Sequence, residues 1–286
     1  MQTFLVKCPS CHRKFSIPFG RKISPGDSKK IVALYGSGVP SSAISKQFGV
    51  SRQAVIDCLR RKGIDRRRAG LHRKYPVNES YFDRIDTSDK AYWLGFLYAD
   101  GCNHGYGISV HLNAKDENHL SKLRDILSPS KMIGHYTYIG RNPSVNLNLR
   151  SSVLSSRLSM LGCIPRKSLI LRFPKRLKLS LHSHFIRGYS DGDGWIICDR
   201  KLNVGTWGIC GTRSFCESVH QVLIDNLNVN STVRKDGRSR TWSLVVGGNR
   251  QVLKALHWLY GNSEVSTRMK RKFEKYVEIQ KMTMRS

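Results

Sequence analysis

Acidic residues are scarce: 20 Asp and Glu stand against 49 Lys and Arg in 286 residues, leaving a formal charge of +29 at pH 7. A folded chain so short of carboxylates seeks an anionic partner. Also missing is any apolar run of about eighteen residues, or an amphipathic helix with a Trp or Phe stripe, which excludes a membrane span and argues against a membrane surface. Residues 1–7 lack the charged start and long apolar stretch of a secretory signal, so the protein is expected inside the cell, in a bacterial or phage-infected cytoplasm or in an organelle. Its eight cysteines are scattered and read as reduced thiols, not as a disulfide framework. What is present is 40% hydrophobic residues, enough for a real core and too much for a disordered basic tail.

The length suggests about two domains. Residues 1–90 carry about +12 and the remainder about +17, so both parts should touch the partner. A polyphosphate duplex suits that spread.

Residues 1–24 contain Cys8 and Cys11 in a Cys-x-x-Cys turn, two corners of a tetrahedral Zn2+ site whose other two ligands are not evident. Zn2+ therefore stays an alternative to an unmetallated turn or a zinc-ribbon remnant. Residues 25–64 show apolar positions at helical spacing in three short blocks, with Ser41 or Ser42 expected to cap the second and Ser51 the third. They resemble a resolvase-type helix-turn-helix whose third helix would present Arg52, Gln53, Arg60 and Arg61 to a major groove. Residues 65–89 begin with Arg66, Arg67 and Arg68 and read as a basic linker or minor-groove arm.

The rest of the chain repeats itself. AYWLGFLYADG (91–101) and HFIRGYSDGDG (184–194) are one pattern twice: an amphipathic helix with small residues four apart, Gly95 and Ala99 in one copy and Gly188 and Gly192 in the other, closing in Asp-Gly. Small residues at that spacing let two helix backbones approach, and the terminal glycine is expected to take a left-handed turn. Strands are expected at 108–113, 136–139 and 145–149 after the first copy, and at 195–198, 204–210, 231–234 and 241–246 after the second. Helices should separate each pair. The fold class is thus α+β: two pseudo-symmetric αββαββα repeats, 90–178 and 179–286, forming a saddle, preceded by a small all-α helix-turn-helix.

These two motifs, with the basic segments 162–168 and 268–273 that end the repeats, resemble the LAGLIDADG homing endonucleases in their single-chain, two-motif form. The resemblance covers about residues 80–280, and Tyr98 departs from it by replacing a frequent Asp that is not the metal ligand. It implies a site-specific double-strand DNA endonuclease, intron-encoded or free-standing, acting as a monomer on a long asymmetric target. It also implies Mg2+, replaceable by Mn2+, at Asp100 and Asp193 with the adjoining Gly101 and Gly194, and catalytic lysines at Lys167 and Lys272, with Lys270 as the alternative to the latter.

The chemistry is sensible without the name. Two carboxylates brought together at one end of a helix pair repel unless divalent cations lie between them, and such cations activate water and stabilise a leaving oxygen. Candidate DNA readers on the saddle are Arg141, Asn146, Asn148, Arg150, Arg200, Arg234, Lys235, Arg238 and Arg240, subject to strand register. A transcription regulator on the same scaffold and an intron RNA maturase are the competing readings. Intact acids favour the enzyme; the DNA-type helix-turn-helix speaks against the maturase.

Overall fold

The computed structural model describes residues 3–7, 14–18, 23–65, 75–237 and 241–284. The chain divides into two compact units, Met1–Lys74 and Tyr75–Ser286. Cys8, Cys11 and Arg66 to Arg68 lie outside the described residues, as do Arg238 and Arg240. No helix among the described residues is long and apolar enough to cross a membrane.

In the first unit, strands β1 (Thr3–Lys7) and β2 (Lys14–Pro18) pair antiparallel. Three helices follow: α1 (Pro25–Gly36), α2 (Ser41–Phe48) and α3 (Arg52–Arg61). Ser24 caps α1 through the Asp27 amide with Pro25 in the first turn, and Ser51 caps α3 through the Ala54 amide. Gly49 takes the left-handed conformation that ends α2 (φ 61°). Pro40 occupies the N-cap of α2, so neither Ser41 nor Ser42 caps it; Pro40's fixed extended backbone starts the helix without a side-chain acceptor. Ile31, Tyr35, Ile44, Val55, Cys58 and Leu59 form the core of this bundle.

The second unit contains both repeats around one continuous core. The first runs α4 (Ser88–Ala99), β3 (Gly101–Asn103), β4 (Ile108–Asn113), α5 (Glu117–Leu127), β5 (Gly134–Tyr136), β6 (Ser144–Leu149) and α6 (Ser152–Met160). The second runs α7 (His182–Asp193), β7 (Gly194–Asp199), β8 (Val204–Gly211), α8 (Arg213–Leu227), β9 (Thr232–Lys235), β10 (Trp242–Gly247) and α9 (Asn249–Tyr260), and α10 (Lys270–Met284) closes the chain. Each repeat forms an antiparallel four-stranded sheet, in the orders β3-β4-β6-β5 and β7-β8-β10-β9. Alternation puts Val110, Leu112, Val145 and Leu147 of the first sheet, and Trp207, Ile209, Leu244 and Val246 of the second, into the core.

Two expectations shift. The third strand of the first repeat lies at Gly134–Tyr136 and not at 136–139, because Tyr136 pairs with Ser144 and the chain turns beyond it through Gly140 at φ 76°. Gly101 and Gly194 are not left-handed; each starts a strand. Their glycine requirement is one of space, since a Cβ would stand 2.5 Å from the Leu97 carbonyl oxygen at Gly101, or from the Ser190 carbonyl oxygen at Gly194.

Candidate active site

The motif helices α4 and α7 cross in backbone contact. A Cβ on Gly95 would overlap the Phe185 carbonyl, one on Gly188 the Tyr92 carbonyl, and one on Gly192 the Ala99 side chain. That contact brings the two helix ends together, with the position of a Gly192 Cβ only 3.1 Å from an Asp100 carboxylate oxygen. Asp100 caps α4 and Asp193 ends α7, so the two acids meet where both helices stop and both sheets begin.

Their surroundings oppose charge. Burial, and after it the nearby Asp193 carboxylate, pushes the Asp100 carboxyl up to about 7, and burial raises Asp193 as well, while Lys167 and Lys272 pull both down. None of the described residues donates a hydrogen bond to either carboxylate, and no third His, Cys, Asp or Glu among them joins the pair to make a closed metal cage. Two neighbouring carboxylates, Asp100 half-buried and Asp193 exposed, neither with a hydrogen-bond donor, fit a hard cation that keeps waters and takes phosphate oxygens, as Mg2+ does. A stability effect follows. The Asp100 contribution is complete below about pH 4, near the unfolded carboxyl value, and is lost as pH rises through about 7. Without metal, Asp100→Asn should therefore unfold at higher denaturant than wild type at pH 8, by about 2 kcal/mol, and with no such advantage at pH 4. Chemical melts at the two pH values check this, and added Mg2+ should narrow the gap at pH 8 only.

A lysine attends each acid in matching fashion. Lys167, in a short turn after α6, donates through Nζ to the carbonyls of Ala99 and Gly101; Lys272, in the first turn of α10, donates to those of Ser190 and Gly194. The Gly101 and Gly194 carbonyls thus serve as lysine acceptors in this structure. Lys270 is exposed and pairs with Glu274 at 3.9 Å, whereas Lys272 is 4% exposed, and burial lowers its ammonium to about 8. Only Lys272 reaches the acids' end of the helix pair. For the endonuclease that the resemblance implies, Lys272→Met should slow single-turnover strand cleavage about a hundredfold with affinity nearly kept, while Lys270→Met should leave the rate unchanged.

Sequence reasoning missed what holds these lysines. Asp191, wholly buried, accepts from Tyr92 Oη and Tyr260 Oη at 2.6 Å each and from the Met269 amide at 2.7 Å, directly before α10. Burial raises its carboxyl, and the three donors oppose that rise. At the equivalent place in the first motif, Tyr98 donates to the Leu161 carbonyl, at the end of α6 and ahead of Lys167. Each motif helix thus pins the segment that delivers its own repeat's lysine. The signal available in the sequence was the position itself, two residues before each acid, filled by a side chain that hydrogen-bonds in both copies. A concavity of about 620 Å³ in this unit, lined by Phe82, Tyr98, Met160 and Phe173 among others, contains none of the two acids and two lysines.

No family model and no curated protein matches the chain. Among solved structures it is similar to full-length DUF199/WhiA from Thermatoga maritima, at 17% identity and TM-score 0.45 over 73% of this chain and 65% of that one. It is similar also to the I-LtrWI LAGLIDADG homing endonuclease bound to target DNA (11%, TM-score 0.46, 73% of this chain and 92% of that one). A third is the LAGLIDADG homing endonuclease I-GzeII in complex with DNA target (9%, TM-score 0.47, 68% and 90%). The chain spans about two thirds of the WhiA length. At such identities the likeness is one of fold.

The candidate readers separate by face. Asn146 and Asn148 alternate onto the side of the first sheet opposite its core, with Arg150 exposed just beyond β6 and Arg141 exposed in the turn before it. Arg234 pairs across to Ser243 on the corresponding side of the second sheet, but Lys235 pairs with Trp242 and falls on the helix-packed side. Arg200 lies in the turn after β7, where its Nε donates to Glu278 at 2.6 Å. In the separate N-terminal unit, Arg52, Gln53, Arg60 and Arg61 are all exposed on α3, with Arg60 3.5 Å from Asp57.

Proposed function

We propose that the chain is a site-specific double-strand DNA endonuclease dependent on a divalent cation, Mg2+ or Mn2+. The observation that carries the reading is the junction of α4 and α7: two neighbouring carboxylates without hydrogen-bond donors, one half-buried and one exposed, one from each repeat, each with a lysine anchored on the neighbouring backbone, in a chain of +29. Bound there, the metal supplies positive charge to the scissile phosphates and acidifies a water. Asp100 and Asp193 would hold it; Lys167 and Lys272, as cations, would offset the charge that builds on the phosphorane. Two pseudo-equivalent centres suit two strands. The sheets differ in their open side chains, which suits a long asymmetric site read by one monomer, and α3 would lengthen that site through its basic face.

In vitro selection of cleaved duplexes from a random pool, with Mg2+ or Mn2+, tests this directly. Recovery of a defined site cut on both strands is the expected result. Tight binding of a selected duplex without scission of either strand would overturn the nuclease reading in favour of a regulator; RNA splicing assistance without DNA cleavage would favour a maturase.

A further inference from the structure

The two sheets share a topology but turn different chemistry to their open faces. Helix α5 packs on the first sheet, and α8, α9 and α10 on the second; the rows that alternate away from the core residues form the other side of each sheet. On that side of the first sheet, cross-strand neighbours are Ser109 with Asn148, His111 with Asn146, and Asn113 with Ser144. All six side chains are polar; His111 and Asn148 are exposed, while Ser109 is buried against His104 and Asn146 against His111.

The second sheet offers instead the apolar Trp195, Ile197, Val204 and Val245, with the smaller Thr206, Cys210, Ser243 and Thr232 between them, joined across the strands through Gly208. Ile197 is 53% exposed. The Trp195 indole lies over Gly208, where a Cβ would overlap its ring. Among the described residues of β8, β9 and β10, this face has no Asn, Gln, His or carboxylate. Asp199 on β7 is taken by the Lys201 and Leu202 amides. Arg234, on the outer strand, is the one described cation in these rows.

We infer that the second sheet reads its half-site through the C5-methyl groups of thymine, so that the two halves of the target are recognised by different means. This rests on the reading of the chain as a site-specific DNA-binding nuclease. β7 starts at Gly194, immediately after Asp193, so the apolar rows are continuous with the candidate centre and would meet the base pairs beside it. In the major groove a T·A pair offers a methyl that apolar side chains can cover, whereas a C·G pair offers only polar groups, for which Trp195, Ile197, Val204 and Val245 have no partner. Arg234 is placed for a guanine farther out.

The test uses the full chain and a duplex selected by binding from a random pool. Asn148→Ala assigns the halves, because the half whose preference relaxes belongs to the first sheet. Thymines are then replaced by deoxyuridine, one half at a time. Loss of about fourfold affinity per covered methyl is expected in the second half, with little change in the first. Ile197→Ser combined with Val245→Ser should erase the thymine-over-uracil difference and spare the first half. Equal uracil effects in both halves, or a selected second half without an excess of T·A, would overturn the inference while leaving the nuclease reading intact. Failure to select any site would remove both.

Discussion

On the proposed nuclease reading, Asp100→Asn and Asp193→Asn should each reduce double-strand cleavage by on the order of a thousandfold or more, because a cation held by one carboxylate would lose half of its protein ligands and each repeat would serve one strand. Affinity for the selected duplex should hold or rise. Removing a negative charge near phosphates relieves repulsion of about 1 kcal/mol at a separation near 4 Å in water. Single-turnover cleavage and equilibrium binding on the same duplex separate the two effects. Nicking of one specific strand by one variant and the other strand by the second would refine the assignment to one acid per strand. Unchanged double-strand cleavage in either variant would show that the acid does not hold the metal.

Gly188→Ala is the second large effect. The new Cβ would overlap the Tyr92 carbonyl of the neighbouring helix, and backbone cannot rotate aside as a flexible side chain can. The helices must separate, which opens voids around Phe185, Tyr189 and Phe96 in the shared core and costs about 3 kcal/mol or more. The same displacement moves Asp193 from Asp100. The expected result is a lower denaturation midpoint together with a cleavage loss that does not recover at low temperature, where the protein is folded. Gly36→Ala, with open space around it on α1, is the control and should lower neither the midpoint of the second unit nor the cleavage rate. Equal midpoints for the two variants would mean that α4 and α7 are not in contact.

The motif helices, the sheets and the three N-terminal helices were legible for definite reasons. Each depends on short-range periodicity and caps, such as Ser51 with the Ala54 amide, and the repetition about ninety residues apart doubled a signal that one Asp-Gly could not carry. The edge strand β5 was misplaced because its position is set by pairing to β6 and not by its own pattern. Gly101 and Gly194 were assigned a left-handed role because glycine serves conformation and close approach alike, and only the neighbouring carbonyls distinguish the two. Lys235 was grouped with Arg234, since a basic pair on a strand does not declare which member faces out until the register to Trp242 and Ser243 is known.

By itself, then, the sequence determined the cationic character of both units, the doubled helix with its small residues, and the two acids at its ends, because these are written in composition and in spacing along one chain. The tertiary structure alone decided that Lys272 and not Lys270 reaches the site, that Asp191 ties Tyr92, Tyr260 and the start of α10 together, and that one sheet presents amides and imidazole where the other presents indole and methyl groups. Those outcomes join residues as far as 99 positions apart. They depend on how helices seat and how strands register, which the core as a whole sets and no local pattern encodes.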